Sequence, residues 1–277
     1  MGYDELHAIA VEVEGGVAWA TIDLPPMNLW GAELGTDLAG LVETVEGDDD
    51  VRVLVLASAD PDFFVAHGDV EAILRIPREP APPPTEPNVA VRIADRLRTM
   101  PKATVAMVAG AARGGGSELA LSCDLRYAGR SARFGQPEVP LGIIPGAGGT
   151  QRLSRLVGRA RALEIVLTGA DYTAEEAAAL GWVNRVLPDA DLEPFVRRIA
   201  RRIAAMPTSA IGAAKRAVDA AWPDPTPGLT VETALLQETL LHDAPRQRMQ
   251  RFLDRGGQTR EVERADISDL VERLGDP

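Results

Sequence analysis

The sequence predicts an α/β core followed by an all-helical C-terminal part. Two nearly unbroken apolar runs, VRVLVLA at 51–57 and ATVAMV at 103–108, read as strands covered on both faces. A stretch with apolar residues at period 3.6 precedes the first of them, so strand and helix alternate. Beyond residue 160 the signals become almost wholly helical. The chain has 277 residues, which suits one large domain with a helical appendage, and the expected division is 1–200 and 201–277.

Segments 8–13 and 17–23, separated by Gly15-Gly16, predict a hairpin, because two glycines suit a tight primed turn. Pro25-Pro26 then stops the second strand. Leu34, Leu38, Leu41, Val42 and Val45 mark a helix over 34–45. Residues 77–87 (PREPAPPPTEP) hold six prolines in eleven positions and predict an exposed loop. From Gly114 glycine-rich turns alternate with short elements: 114–124, 125–128, then a loop over 135–149. Helices follow at 160–168, 173–180, 192–205, 209–221, 231–242 and 246–255. Thr173 with Glu176 three residues on predicts a capping box.

There are 41 acidic against 29 basic side chains, a net charge of −12. That argues against nucleic acid or an anionic membrane as the main partner, since both select basic patches. The single cysteine, Cys123, excludes a disulfide scaffold, and three scattered histidines (His7, His67, His242) argue against a metal site. The opening MGYDELHAIA lacks a basic stretch followed by an apolar one, and the apolar run at 103–112 is short of the roughly 20 residues that span a bilayer. A cytoplasmic location is expected.

The densest glycine clusters are at 110–116 and 146–149. Neither has the spacing of a dinucleotide-binding turn, no GK[ST] triplet ends a phosphate loop, and no GxSxG elbow occurs. What remains is a strand, three glycines and a helix beginning near Ser117. Such a helix start offers unpaired N–H groups to an oxyanion. Glu118 in its first turn either complements the helix dipole or acts as a base. Glu138, in a Gly/Pro-rich loop, reads as a solvated loop carboxylate or as the second member of a proton-transfer pair.

These residues carry a resemblance. VAGAARGGGSELALSCD at 108–124 resembles the signature of the enoyl-CoA hydratase/isomerase (crotonase) family. FGQPEVPLGIIPGAGGTQRL at 134–153 resembles its second signature, and FFVAHGD at 63–69 its first oxyanion segment. Leu167-Thr-Gly and AEEAAALGWVNRV at 174–186 also fit, so the match runs in order over roughly residues 8 to 220. The resemblance implies a crotonase-like spiral of ββα repeats and a C-terminal helical region used for oligomerisation, as a homotrimer or homohexamer. It implies an acyl-CoA thioester as substrate and no cofactor beyond coenzyme A as part of that substrate. The family's two oxyanion N–H donors fall on Ala66 and Gly115, and substrate-binding positions on Asn28, His67, Gly68, Asp69, Leu141 and Gly146. Its paired catalytic glutamates fall on Glu118 and Glu138, one taking a proton from water and the other delivering a proton to C2. With both present, hydration of a trans-2-enoyl-CoA is favoured. The alternatives are double-bond isomerisation by Glu138 alone, thioester hydrolysis, or a non-catalytic CoA-binding protein.

Departures from the pattern are local. His67 stands where the family usually has glycine and reads as a surface loop histidine or a substrate contact. Asp69 is expected to cap a helix over 70–76. Arg113 replaces a small residue and is expected to pair with Glu118, to meet the CoA phosphates or to point to solvent. Arg255 stands in for a family lysine that approaches CoA, while Cys123 and Trp182 read as packing residues.

Overall fold

Every residue of the 53–58 strand except the last is buried, and alternate residues enter different cores. The computed structural model describes residues 2–80 and 82–275. Numbered along the chain, β1 (Ile9–Glu14), β2 (Val17–Ile22), β3 (Val53–Ser58), β5 (Ala103–Val108), β7 (Leu125–Gly129) and β10 (Arg185–Leu187) form one sheet in that spatial order. Only β1 and β2 pair antiparallel there, across the Gly15-Gly16 turn. A second sheet holds β4 (Phe63–Val65), β6 (Ala111–Arg113), β8 (Arg133–Gly135) and β9 (Tyr172–Thr173).

The helices are α1 (Ala32–Gly47), α2 (Val70–Leu74), α3 (Val89–Thr99), α4 (Gly115–Ser122), α5 (Gly149–Val157), α6 (Arg159–Thr168) and α7 (Ala174–Leu180). The C-terminal set is α8 (Asp189–Ala204), α9 (Thr208–Asp219), α10 (Thr226–Leu240), α11 (Asp243–Asp254), α12 (Arg260–Glu263) and α13 (Ser268–Glu272). Each turn of the chain lays a long strand in the first sheet, a short one in the second, then a helix. β3–β4–α2, β5–β6–α4 and β7–β8–α5 are three such turns, which makes the fold a spiral.

Leu54 and Leu56 of β3 meet Leu38 and Leu41 of α1 and Leu97 of α3, while Val53, Val55 and Ala57 meet Leu192, Val196 and Ala200 of α8. That two-sided cover is what the unbroken apolar runs announced. Residue 200, the expected domain boundary, therefore falls within a helix packed on the sheet. The capping box of α7 forms, with Glu176 N–H donating to Thr173 Oγ1 at 3.2 Å and Thr173 N–H to Glu176 Oε2 at 2.8 Å.

The structure adds elements the periodicities did not reveal. The three-residue strands β4, β6 and β8 are too short to show a period of two. α5 begins at Gly149, where a loop was expected to end. Past residue 255 the chain forms α12 and α13, and Phe252, Ile267, Val271 and Leu274 pack with Val70, Leu141 and Ile143 of the core. Among the described residues no helix is long and apolar enough to cross a membrane.

Candidate active site

β4, β6 and β8 are parallel neighbours, so the loops leaving their C-terminal ends emerge side by side. These segments are 66–69, 114–118 (the start of α4) and 136–138, the three stretches singled out in the sequence. They open on a cavity of about 840 Å³. His67, Gly68, Asp69, Gly115 and Glu118 line it, as do Glu138, Leu141 and Gly146. Much of the remaining wall is aliphatic, including Ile73, Ile93, Leu236 and Leu240. Among the described residues no three His, Cys, Asp or Glu side chains are placed to hold a metal ion.

Two expected site residues face elsewhere. Ala66 donates its N–H to Met27 O at 3.3 Å and does not line the cavity. Asn28 is buried at positive φ, where its amide donates to Ser58 Oγ at 2.8 Å and Phe64 O at 3.1 Å while its Oδ1 accepts from Leu24 N–H at 2.7 Å. It holds the turn and does not line the cavity. Asp69 does cap α2, accepting from Ala72 N–H at 3.1 Å, and its helix ends at Leu74.

The backbone N–H set beside Gly115 is that of Gly68. Trp30 and Gly68 form a parallel bridge in which Trp30 N–H bonds His67 O at 2.9 Å and Asp69 N–H bonds Trp30 O at 3.1 Å. Those bonds use the groups flanking Gly68, so its own N–H turns the other way. A Cβ built on Gly115 would lie 3.4 Å from Gly68 N, which sets the two glycine backbones against each other. Gly115 opens α4, so its N–H has no intrahelical acceptor. The glycines around it are required: Gly114 holds φ +47°, and a Cβ on Gly116 would sit 1.9 Å from Val65 O.

The carboxylates occupy unlike environments. Glu118 Oε1 accepts from Ala147 N–H and Gly149 N–H, each at 2.7 Å. Burial, and then the charge of Glu232, push it up to about 7 against those two bonds. Glu138 has fewer donors, and burial followed by the charge of Glu118 holds it well above the usual carboxylate range. With the Gln136 amide turned so that no two acceptors face each other, its nitrogen donates to both Glu138 oxygens at 3.1 and 3.2 Å and its oxygen accepts from Ser117 Oγ at 3.3 Å. Two buried acids sharing one region do not both ionise readily.

Glu232 was not singled out in the sequence. It is 1% exposed on α10. Its Oε1 accepts from Gly148 N–H at 2.7 Å and its Oε2 from Thr150 N–H at 2.9 Å. Successive N–H groups of the 147–150 turn thus alternate between Glu118 and Glu232. The available signal was its place on the inward stripe Leu229, Thr233 and Leu236, where an acid is costly unless bonded. Glu232→Gln should move the acidic limb of the pH profile below that of the wild type, since it removes a charge that raises Glu118. An unchanged limb would show that Glu232 only holds the turn.

His67 is no surface loop histidine, although it does line the cavity, and Arg113 departs from its expected partners. His67 is 5% exposed, and its ring sits edge-on to Phe252 at 5.7 Å. Arg113 is fully buried and meets neither Glu118 nor solvent: Nε and Nη2 grip Asp171 at 2.7 and 2.6 Å. Arg255 is exposed and bonds Arg273 O. Cys123 and Trp182 are buried in the main core.

Residues 12–260 match the family model described as enoyl-CoA hydratase/isomerase. The short-chain-enoyl-CoA hydratase of Clostridium acetobutylicum is 35% identical over 225 residues, covering 78% of this chain and 82% of that protein. A solved structure from Streptomyces avermitilis superposes with a TM-score of 0.88 at 39% identity, over 98% of this chain and 99% of that one. The enoyl-CoA hydratase structure from Mycobacterium avium subsp. paratuberculosis K-10 gives 0.78 at 26% identity, over 90% and 97%.

Proposed function

Because this chain belongs to the enoyl-CoA hydratase/isomerase family, we propose that it adds water across the C2–C3 double bond of a trans-2-enoyl-CoA, giving a 3-hydroxyacyl-CoA. The observation that carries this is the pair of buried carboxylates, unlike in environment, beside two glycine N–H groups on one apolar cavity.

In this reading the thioester oxygen sits between Gly68 N–H and Gly115 N–H. Each donor would stabilise the developing enolate by about 3–4 kcal/mol. Ionised Glu118 takes a proton from water as the water oxygen bonds to C3. Protonated Glu138 gives its proton to C2. The charge formed on the thioester oxygen returns to carbon as that C–H bond closes. Transfer of one proton from Glu118 to Glu138 then restores the starting state. The cavity's aliphatic wall suits an acyl chain, and CoA enters only as part of the substrate.

The rate should rise with pH through about 7 as Glu118 ionises, and fall at higher pH as Glu138 loses its proton. The direct test is loss of enoyl absorbance with crotonyl-CoA and with a longer enoyl-CoA. Hydration incorporates oxygen from labelled water into the product. Isomerisation would leave the label in water, and release of free CoA would mark hydrolysis; either would overturn the reading. We assign the protein to the cytoplasm as a homotrimer or homohexamer. The exposed Val218 of α9, Val231 of α10 and Trp222 between them support the assembly, and sedimentation as a monomer would refute it.

A further inference from the structure

Four charged side chains lie buried behind the two oxyanion loops, and the reaction outlined above uses none of them. They are His67, Arg113, Asp171 and Glu263, with side-chain exposures of 6, 0, 1 and 0%. His67 directly precedes Gly68. Arg113 ends β6, two residues before Gly115. Glu263 ends α12, nearly 150 residues further along, and touches both. His67 Nε2 lies 3.0 Å from Glu263 Oε1, and Arg113 Nη1 donates to Glu263 O at 2.9 Å. Arg113 Nη2 also donates to Ala265 O at 2.8 Å, and Asp171 Oδ2 accepts from Ile267 N–H at 3.2 Å.

The bonding partners fix one proton of the cluster. His67 Nδ1 lies 2.7 Å from Gly68 O, which can only accept, so this nitrogen carries a proton. Glu263 Oε1 already accepts from Gln258 N–H at 2.6 Å, and its Oε2 has no donor within bonding distance. With Glu263 ionised, its Oε1 accepts a second hydrogen bond from a proton that stays on Nε2, and His67 is then an imidazolium. The cluster is then neutral: Arg113 against Asp171, and His67 against Glu263. Burial works against both charges of the second pair, yet their mutual attraction raises His67 and lowers Glu263.

We propose that Glu263 is a positioning residue, a clasp by which the C-terminal segment holds the loops of Gly68 and Gly115 at the spacing that receives a thioester oxygen. This rests on the assignment of Gly68 and Gly115 as the oxyanion donors. The clasp accounts for both local departures from the family pattern: a histidine and an arginine stand where small residues are usual because an acid from the C-terminal segment reaches them. The two donors come from different turns of the spiral, so a shift of one loop spoils the pair without emptying the cavity.

The test uses the full-length protein and two readouts. The first is steady-state hydration of crotonyl-CoA. The second is the absorption of bound 4-dimethylaminocinnamoyl-CoA, which moves to longer wavelength when its carbonyl oxygen is hydrogen-bonded. Glu263→Gln should lower kcat by about 10- to 100-fold with KM within about twofold of wild type, because orientation is lost and substrate contacts are not. It should also shrink the red shift at saturating ligand. If Glu263→Gln does not fold, the double variant His67→Leu/Glu263→Leu removes the bond across the clasp without leaving an unpaired buried charge and should show the same losses. Wild-type kcat and red shift in either folded variant would overturn the clasp. A red shift in wild type without hydration would retire the proposed reaction and leave the clasp to be decided by the variants' shift. No red shift in wild type would overturn the donor assignment and the clasp with it.

Discussion

Replacing Glu138 by Gln should lower hydration of crotonyl-CoA by about 100- to 10,000-fold, the range for removing a positioned proton donor. An amide at this position cannot release a proton to C2, while the cavity and its two N–H donors remain. The same variant should be at least as heat-stable as wild type at pH 8. Glu138 is held above its ordinary range by burial first, so the folded state binds its proton more tightly than the unfolded chain. The stability it contributes is present at low pH and is lost as pH rises through the raised value. A catalytic loss accompanied by a large fall in melting temperature at pH 8 would mean that Glu138 is needed for folding. Glu118→Ala separates the roles further. It should damage hydration far more than any isomerisation, because only hydration needs a water deprotonated. Equal loss of isomerisation in both variants would refute that division.

The second large effect is expected at Gly115. Gly115→Pro should lower kcat by about 100- to 1,000-fold, the cost of one oxyanion donor. Proline is tolerated at the first residue of a helix, where the N–H has no intrahelical partner, so α4 can still form. A Cβ here would lie 3.2 Å from Trp30 Cε3, so some of the loss could come from crowding. Gly115→Ala carries the same Cβ and keeps the N–H, and it should retain much more activity than the proline variant. Equal activities in the two would show that the N–H does no catalytic work.

Much of the molecule was legible in the sequence because the relevant signals are local. The unbroken apolar runs of β3 and β5 reported burial on both faces, Gly15-Gly16 marked the hairpin, and Thr173 with Glu176 marked the start of α7. The glycine triplet followed by Glu118, and Glu138 in its Gly/Pro loop, pointed to the cavity on which they do meet. On the first loop the N–H of Ala66 bonds Met27 O, and it is Gly68, two residues on, whose N–H lies beside Gly115. Which N–H faces a cavity depends on bridge pairing with Trp30, and no pattern within 63–69 encodes that partner.

What the sequence determined by itself was the alternation of strand and helix, the glycine-dependent turns and the two glutamates, Glu118 and Glu138, that line the cavity. All of these follow from the conformational preferences and apolar spacing of neighbouring residues. Tertiary structure alone decided how these parts meet. The side-by-side ends of β4, β6 and β8 gather three distant loops, although each strand is too short to leave a periodic trace. Glu232 reaches the 147–150 turn from α10, and Glu263 reaches His67 and Arg113 from the far end of the chain. A buried charge is settled only by the group that neutralises or bonds it. Here those groups lie from about 80 to nearly 200 residues away in sequence, so their pairing exists only once the chain has folded.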